Sequence, residues 1–268
     1  MDLILQYASL LLTGILTGTA SGLFGVGGGF LMTPVQYWLY TLGGMDSTLA
    51  TRLAFGTSLA VIIPTMISGA FAHHSRGAVN WQAAIPMGCA AVFGGFAGGT
   101  AAAHLPGIVL RSFFALLIIL IAVRMIWHLQ SCTVSEPRGS TGVFIIIGFF
   151  IGIVSGLAGI GGGVLLVPVL VIFLGYPIHS AVGTSSACLI FSSTGAVAAY
   201  VINGLNIPGL PPYSFGYVNL VTFVLLAVTT IPLARFGVHC AHCCSGRNLQ
   251  IVFAGVLIVI GGMMLVIG

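Results

Sequence analysis

Two glycine-rich segments decide how this chain folds. The first reads SGLFGVGGG at residues 21–29, and the second reads SGLAGIGGG at residues 155–163. A proline follows each of them, five residues after the last glycine, as Pro34 and Pro168. Consecutive glycines destabilise a helix by about 1 kcal/mol per residue relative to alanine, so each segment predicts a break between two helices.

The two segments belong to an internal duplication of the whole chain. They lie 134 positions apart, GTS at 56–58 returns 127 positions later, and GAVN at 77–80 matches GYVN 139 positions later. The matches keep the same order along the chain, which predicts two homologous halves. The predicted division is a first transmembrane repeat at 1–130, a cytoplasmic linker at 131–141 and a second transmembrane repeat at 142–268.

The composition excludes most classes of soluble protein. Of 268 residues, 58% are hydrophobic and only 4% are charged, comprising seven arginines, no lysine and three acidic residues. A soluble domain has about one charged residue in four, so this chain has too few charges to form a solvated surface. A soluble enzyme, a nucleic-acid-binding protein and a disordered protein are therefore excluded. The composition predicts an all-α polytopic membrane protein.

Hydropathy divides the chain into ten apolar segments. Most are long enough to cross about 30 Å of hydrocarbon, but the second and seventh are short and each follows a glycine cluster. Each short segment is predicted to be either a thin tilted span or the return arm of a re-entrant hairpin. The predicted segments are 3–24, 28–42, 52–72, 81–103, 110–129, 142–158, 163–175, 182–203, 216–236 and 248–267.

The arginines predict how the protein lies in the membrane. Each half has an odd number of crossings whether its short segment spans or re-enters, so the second half is predicted to insert upside down. Five arginines then fall on one side and two on the other, and the positive-inside rule makes the first side cytoplasmic. Both termini are predicted to face outwards. Inverted repeats of this kind are typical of secondary transporters, which bind substrate where the halves meet.

The glycine breaks also predict a binding site. A broken helix leaves backbone N–H groups without partners in the membrane, and this is tolerated where the break is buried or lines a polar cavity. N–H groups at the start of the next helix, together with its dipole, suit an anion. The hydroxyls of the two GTS motifs are expected to open helices and to add donors. Close packing of helices is the alternative explanation of the same glycines.

The candidate substrate-binding residues come from both halves. Arg52 is interpreted as a charge at the outer mouth or as an interfacial side chain, and Asn80 and Asn219 as helix caps that also allow substrate contact. The full set is Gly25, Gly27, Gly28, Gly29, Arg52, Thr57, Ser58, Asn80, Gly159, Gly161, Gly162, Gly163, Thr184, Ser185 and Asn219.

The duplicated SGLxGxGGGx4P motifs and the paired GTS motifs resemble the TauE/SafE family of sulfite and organosulfur-anion exporters. The resemblance covers about residues 10 to 265. It implies a bacterial or archaeal inner-membrane permease that exports sulfite, sulfonates or related small anions, and it assigns the glycines, prolines and GTS hydroxyls to two half-sites. The expected partners are the anion and the lipid bilayer, with a homodimer left open, and without nucleic acid or cofactor.

Other functions are weighed against this one. An anion channel and an uptake permease on the same scaffold remain alternatives. A third alternative is a metal-handling or redox-sensing membrane protein that uses the sequence HCAHCC at 239–244, which is expected to lie in a cytoplasmic loop. Its spacing does not match a standard zinc site, so no metal site is predicted. No nucleophile–base pair is present, so the chain is not expected to be an enzyme. No Walker motif is present, so ATP is not expected to drive it directly. No acidic residue falls in the middle of a predicted span, so a carboxylate proton relay or cation site is not expected.

Overall fold

The computed structural model describes residues 3–127, 139–243, 251, 254–259 and 261–262. Within these ranges the chain is helical apart from short connections and one β-hairpin, whose two strands have two residues each. Most of the linker predicted at 131–141 lies outside the described residues. The elements are α1 (Leu3–Phe24), α2 (Gly29–Leu42), α3 (Ser47–His74), α4 (Trp81–His104), α5 (Gly107–Trp127), α6 (Thr141–Ala158), α7 (Gly163–Pro168) continued by a π-helical turn (Val169–Phe173), α8 (Ile178–Gly204), β1 (Ser214–Phe215), β2 (Val218–Asn219) and α9 (Leu220–Cys243).

Helix length and composition confirm a polytopic membrane protein. Within the described ranges, seven helices are long and apolar enough to cross a bilayer: α1, α3, α4, α5, α6, α8 and α9. Large apolar side chains on their outer faces stay exposed, for example Leu116, Phe93 and Phe150. Exposed apolar surface on this scale suits a lipid environment. The tenth predicted segment, 248–267, falls largely outside the described residues, although residues 251, 254–259 and 261–262 are helical.

Two helix starts differ from the prediction with consequences for the site. Helix α3 begins at Ser47, because the Asp46 carboxylate caps it by accepting from the amides of Thr48 and Leu49 at 2.9 and 3.1 Å. Helix α8 begins just after Pro177. The expectation that the GTS hydroxyls open helices was therefore wrong, since both motifs lie several residues inside a helix.

The Cys/His motif was also placed wrongly. Helix α9 continues to Cys243, so His239–Cys243 form its last turns instead of a loop, and Cys244 lies outside the described residues. Between Gly237 and that end the chain contains no glycine or proline that would stop a helix. The start of the segment predicted at 216–236 was wrong too, because a turn and strand β2 precede α9.

The two short helices each cover half the height of a long neighbour. Helix α2 has 14 residues, about 21 Å, and runs back along the first half of α3. A methyl group at Gly27, just before α2, would lie 2.9 Å from Ile62 in the middle of α3. At the other end the hydroxyls of Tyr37 and Ser47 are 3.2 Å apart, close to where α3 begins. Helix α2 is therefore the return arm of a hairpin that turns at mid-height, as α7 is beside α8.

The two halves contact each other reciprocally. Helix α1 packs on α9 as α6 packs on α4, and α3 packs on α9 as α8 packs on α4. Single residues follow the same rule: a methyl group at Gly22 would lie 2.0 Å from the carbonyl oxygen of Ala234, and one at Gly156 would lie 2.4 Å from that of Gly95. These contacts are backbone to backbone, which explains why glycine occupies such positions in both halves.

Candidate functional site

The two glycine loops, defined as residues 25–29 and 159–163, are buried turns built on left-handed backbone. Gly25, Gly27 and Gly28 have φ angles of 66°, 78° and 73°. The corresponding residues of the second loop, Gly159, Gly161 and Gly162, have φ angles of 66°, 76° and 84°. Only glycine adopts this region without strain, so the repeated pattern of glycines encodes the repeated turn.

The structure brings the two glycine loops into contact with each other. A methyl group at Gly163 would lie 2.5 Å from Cα of Val26, and one at Gly29 would lie 2.9 Å from Cα of Ile160. Methyl groups at Gly27 and Gly161 would both touch Ile62, at 2.9 and 3.0 Å. Ile62 lies in the middle of α3, so the loops meet at mid-height, where the two halves join.

The threonine of each GTS motif accepts a hydrogen bond from a backbone amide of the opposite half. The backbone amide of Asn219 donates to Thr57 Oγ1 at 3.0 Å, and the amide of Asn80 donates to Thr184 Oγ1 at 3.0 Å. The asparagine side chains cap helices as predicted: Asn80 accepts from the amide of Ala83, and Asn219 accepts from that of Thr222.

The serines of the GTS motifs connect to the glycine loop of the opposite half. Ser185 donates to the carbonyl oxygen of Gly25 at 2.9 Å. Ser58 accepts from Thr33 Oγ1 at 3.1 Å, and Thr33 lies 3.5 Å from the carbonyl oxygen of Gly159. All these side chains are buried. The predicted glycines and hydroxyls therefore form one continuous polar cluster.

One functional candidate was not predicted from the sequence, namely the polar face of α2. Gln36 is fully buried, and its Nε2 donates to Ser58 Oγ at 2.8 Å, while its Oε1 has no hydrogen-bond partner. One turn further on, Tyr40 donates to Thr222 Oγ1 at 3.1 Å. An amide in the middle of an apolar segment, two residues after Pro34, was the available signal.

A cavity of about 570 Å³ opens at the end of the molecule where α3 begins, here called the Asp46 end. Its wall includes Tyr40, Asn219 and Thr222, which also belong to the polar cluster. From the cavity, Tyr40 and then Gln36 and Thr33 follow one face of α2 at helical spacing down to the glycine loops. Polar side chains on α2 thus line up from the cavity to mid-height, and this line of side chains is here called the polar route.

Four buried hydroxyls beside the glycine loops have no hydrogen-bond partner: Thr17, Ser21, Ser155 and Ser193. A methyl group at Gly161 would lie 3.3 Å from Ser193 Oγ, and one at Gly162 would lie 3.1 Å from Cβ of Ser155. Unpaired buried hydroxyls are rare, because each loses its hydrogen bonds to water. Their grouping around the loops provides donors for a bound acceptor.

Arg52 is separate from this cluster. Its guanidinium donates to the carbonyl oxygen of Leu105 at 3.0 Å and to the hydroxyl of Tyr217 at 3.3 Å, at the Asp46 end. Asp46 itself is the only acidic side chain among the described residues. Within the ranges that the structure describes, no three His, Cys, Asp or Glu side chains are arranged to hold a metal ion.

Comparison with known proteins identifies the family. The family model described as sulfite exporter TauE/SafE matches residues 10–264. A probable membrane transporter protein of Methanocaldococcus jannaschii is 29% identical over 265 residues, covering 98% of this chain and 97% of the relative. One of Haemophilus influenzae is 30% identical over 250 residues, covering 93% and 94%. No solved structure matches the chain. The chain therefore belongs to the TauE/SafE sulfite exporter family and is a membrane transporter, not an enzyme.

Proposed function

We propose that this transporter exports a small sulfur-containing anion, such as sulfite or a sulfonate, across the cytoplasmic membrane of a bacterium or archaeon. The observation that carries the proposal is the meeting of two glycine loops at mid-height, surrounded by buried hydroxyls without partners. The family model, which is described as a sulfite exporter, supports this class of substrate, and the matching relatives support transport.

The chemistry of the cluster favours an anion. Sulfite and sulfonate oxygens accept hydrogen bonds, and the cluster offers hydroxyl groups, the amide of Gln36 and the N-terminal ends of α2 and α7. A carboxylate beside such a site would repel the substrate, and the described spans contain none. A cation carrier would instead be expected to have carboxylates inside its spans.

Inverted repeats would explain how the site reaches both sides. The reciprocal packing of α1 on α9 and of α6 on α4 supports this arrangement. In transporters of this kind, one half moves against the other around a fixed central site. The cavity at the Asp46 end then corresponds to the outward exit, and the contact between the glycine loops closes the path below it.

The arrangement of the loops also bears on the channel alternative. A channel needs an open path across the bilayer, whereas Gly163 and Val26 are in direct backbone contact. Closure at this point favours a carrier. Counterflow distinguishes the two, because unlabelled substrate inside vesicles accelerates uptake of labelled substrate by a carrier and not by a channel. An uptake permease would also show counterflow but would differ in the direction of net transport. Flux into and out of proteoliposomes with an imposed membrane potential tests that direction.

Labelling of single cysteines tests the orientation. In a variant without native cysteines, Pro208→Cys is expected to react with an impermeant thiol reagent added to intact cells. Ser75→Cys and Ser140→Cys are expected to react only after permeabilisation. All three positions are exposed, so accessibility reports the side of the membrane. The reverse pattern would place the termini inside and would overturn the arginine-based orientation.

Substitution of Gln36 tests the polar route. Gln36→Leu removes the donor to Ser58 and is expected to weaken substrate binding by about 0.5–1.5 kcal/mol, which is about twofold to twelvefold in Kd. Titration calorimetry with sulfite, sulfate, thiosulfate and sulfoacetate on the purified protein measures the change and ranks the substrates. Gln82→Leu is the matched control, since Gln82 is exposed in the first turn of α4. Equal affinities for the two variants would exclude Gln36 from the site.

A further inference from the structure

Three imidazole rings meet at the end of the molecule opposite the cavity, here called the His73 end. His73 lies in the last turn of α3, His179 in the first turn of α8 and His242 in the last turn of α9. The rings of His179 and His242 are stacked with centroids 5.1 Å apart and planes at 17°. The ring of His73 lies 5.6 Å from that of His242. The site described above uses none of the three.

The surroundings of these rings are basic. Arg76 acts electrostatically on both His73 and His242, and its Nη2 lies 3.0 Å from Nδ1 of His239. Other charged or titratable side chains also lie near this end of α3 and α9. They are Arg235, whose Nε donates to Ser68 Oγ at 3.1 Å, Tyr176, whose hydroxyl accepts from the Asn80 side chain, and His74, Cys240 and Cys243. Helices α1 and α8 add no further charged side chain here. Among the described residues, the single carboxylate, Asp46, lies at the opposite end of α3.

Two ring nitrogens of the cluster have no hydrogen-bond partner. These are Nδ1 of His73 and Nε2 of His242, and both atoms are buried. The His73 side chain is only 1% exposed. A buried polar atom without a partner is costly and points to a missing acceptor or donor. A protonated imidazole here would find no counter-charge among the described protein groups, so its natural partner is an external anion.

The cluster adjoins the first glycine loop. His73 Nε2 lies 3.3 Å from the carbonyl oxygen of Gly22, three residues before that loop. Ser21 and Thr17, on the preceding turn of α1, have two of the unpartnered hydroxyls. The opposite half has the equivalent contact, in which Tyr200 donates to the carbonyl oxygen of Gly156 at 3.0 Å. The imidazoles at the His73 end therefore lie next to the segment that leads into the first glycine loop.

We propose that His73, His179 and His242, together with Arg76, form an oxyanion-binding site at the His73 end. The bound anion separates the stacked rings and hydrogen-bonds to their protonated nitrogens. Binding of the anion favours protonation of the imidazoles, and their protonation favours binding of the anion, because the opposite charges attract each other. In the proposed export function, this would be the cytoplasmic site that binds the substrate before the substrate reaches the glycine loops. That role rests on the proposed function.

Sulfate is the probe of this site, because it keeps both charges between pH 6 and pH 8 and brings no proton of its own. Calorimetry on the purified full-length protein, in buffers of different ionisation enthalpy, measures affinity and proton uptake together. Sulfate is expected to bind at least about tenfold more tightly at pH 6 than at pH 8, with net uptake of protons. His242→Gln and His179→Gln are each expected to abolish the proton uptake and the pH dependence. His104→Gln, at an exposed position at the far end of α4, is the matched control.

Binding by wild-type protein that does not change with pH would overturn the proposal. So would a His242→Gln or His179→Gln variant that unfolds at the same temperature as the wild type and still takes up protons as His104→Gln does. Two variants are used so that a folding defect in one does not decide the result. The export proposal fails separately, if wild-type proteoliposomes show no flux of any sulfur anion, and that result leaves the calorimetric test unaffected.

Discussion

Flux of a sulfur oxyanion through the reconstituted transporter is expected to follow the sign of the membrane potential. Moving one charge through 100 mV changes its free energy by about 2.3 kcal/mol. A dianion therefore reaches a concentration ratio above about a thousandfold at equilibrium, and a monoanion about fiftyfold. A cell that is negative inside would thus drive export without a coupling ion. The described spans contain no carboxylate that would bind a coupling cation, which agrees with uniport.

Proteoliposomes with a potassium diffusion potential set by valinomycin measure this effect. Sulfite changes its protonation near neutral pH, so the decisive substrate is a permanently ionised monosulfonate. Its efflux should accelerate when the lumen is negative and reverse when the lumen is positive. Liposomes without protein supply the background. If the flux does not change with the potential and instead follows an imposed pH gradient, uniport is wrong and transport is coupled to protons.

Gly163→Ala is expected to reduce transport at least about tenfold while the protein still folds. Its methyl group would lie 2.5 Å from Cα of Val26 and 2.9 Å from the carbonyl oxygen of Gly25, so the two glycine loops must separate. Gly163 is the first residue of α7 and has ordinary helical backbone, so alanine adds no backbone strain there. Overpacking of this kind lowers the free energy of unfolding by about 1–3 kcal/mol. Here it distorts the contact between the two glycine loops, where the two halves meet, so we expect it to affect transport.

The control for this variant is Gly69→Ala in α3. A methyl group there meets only Cε of Met66, at an ordinary 3.5 Å. Flux per folded protein and the unfolding temperature in detergent are measured for both variants. Gly162→Ala adds a second comparison, because its φ of 84° also strains the backbone and should lower the unfolding temperature. If Gly163→Ala transports as well as Gly69→Ala, the glycines serve helix packing alone.

The sequence by itself determined the class of protein, the helices and the duplication. Apolar segments of sufficient length can only be buried in lipid or in a core, so hydropathy predicted the nine apolar segments between residues 3 and 236, with errors at their ends. The glycine patterns at 21–29 and 155–163 predicted the two breaks, because left-handed backbone requires glycine locally. These properties depend on neighbouring residues and are therefore visible in the sequence.

Only the tertiary structure decided which groups meet. The GTS hydroxyls proved to lie inside helices, because Asp46 and Pro177 start α3 and α8 earlier than hydropathy indicated. The connection of Gln36 to Ser58, and the stacking of His179 on His242, join residues whose separation in the chain gives no sign of contact. Such contacts depend on how whole helices pack, and packing is determined by backbone approach at glycines across the two halves. The sequence thus specified the parts of the site, and the fold assembled them.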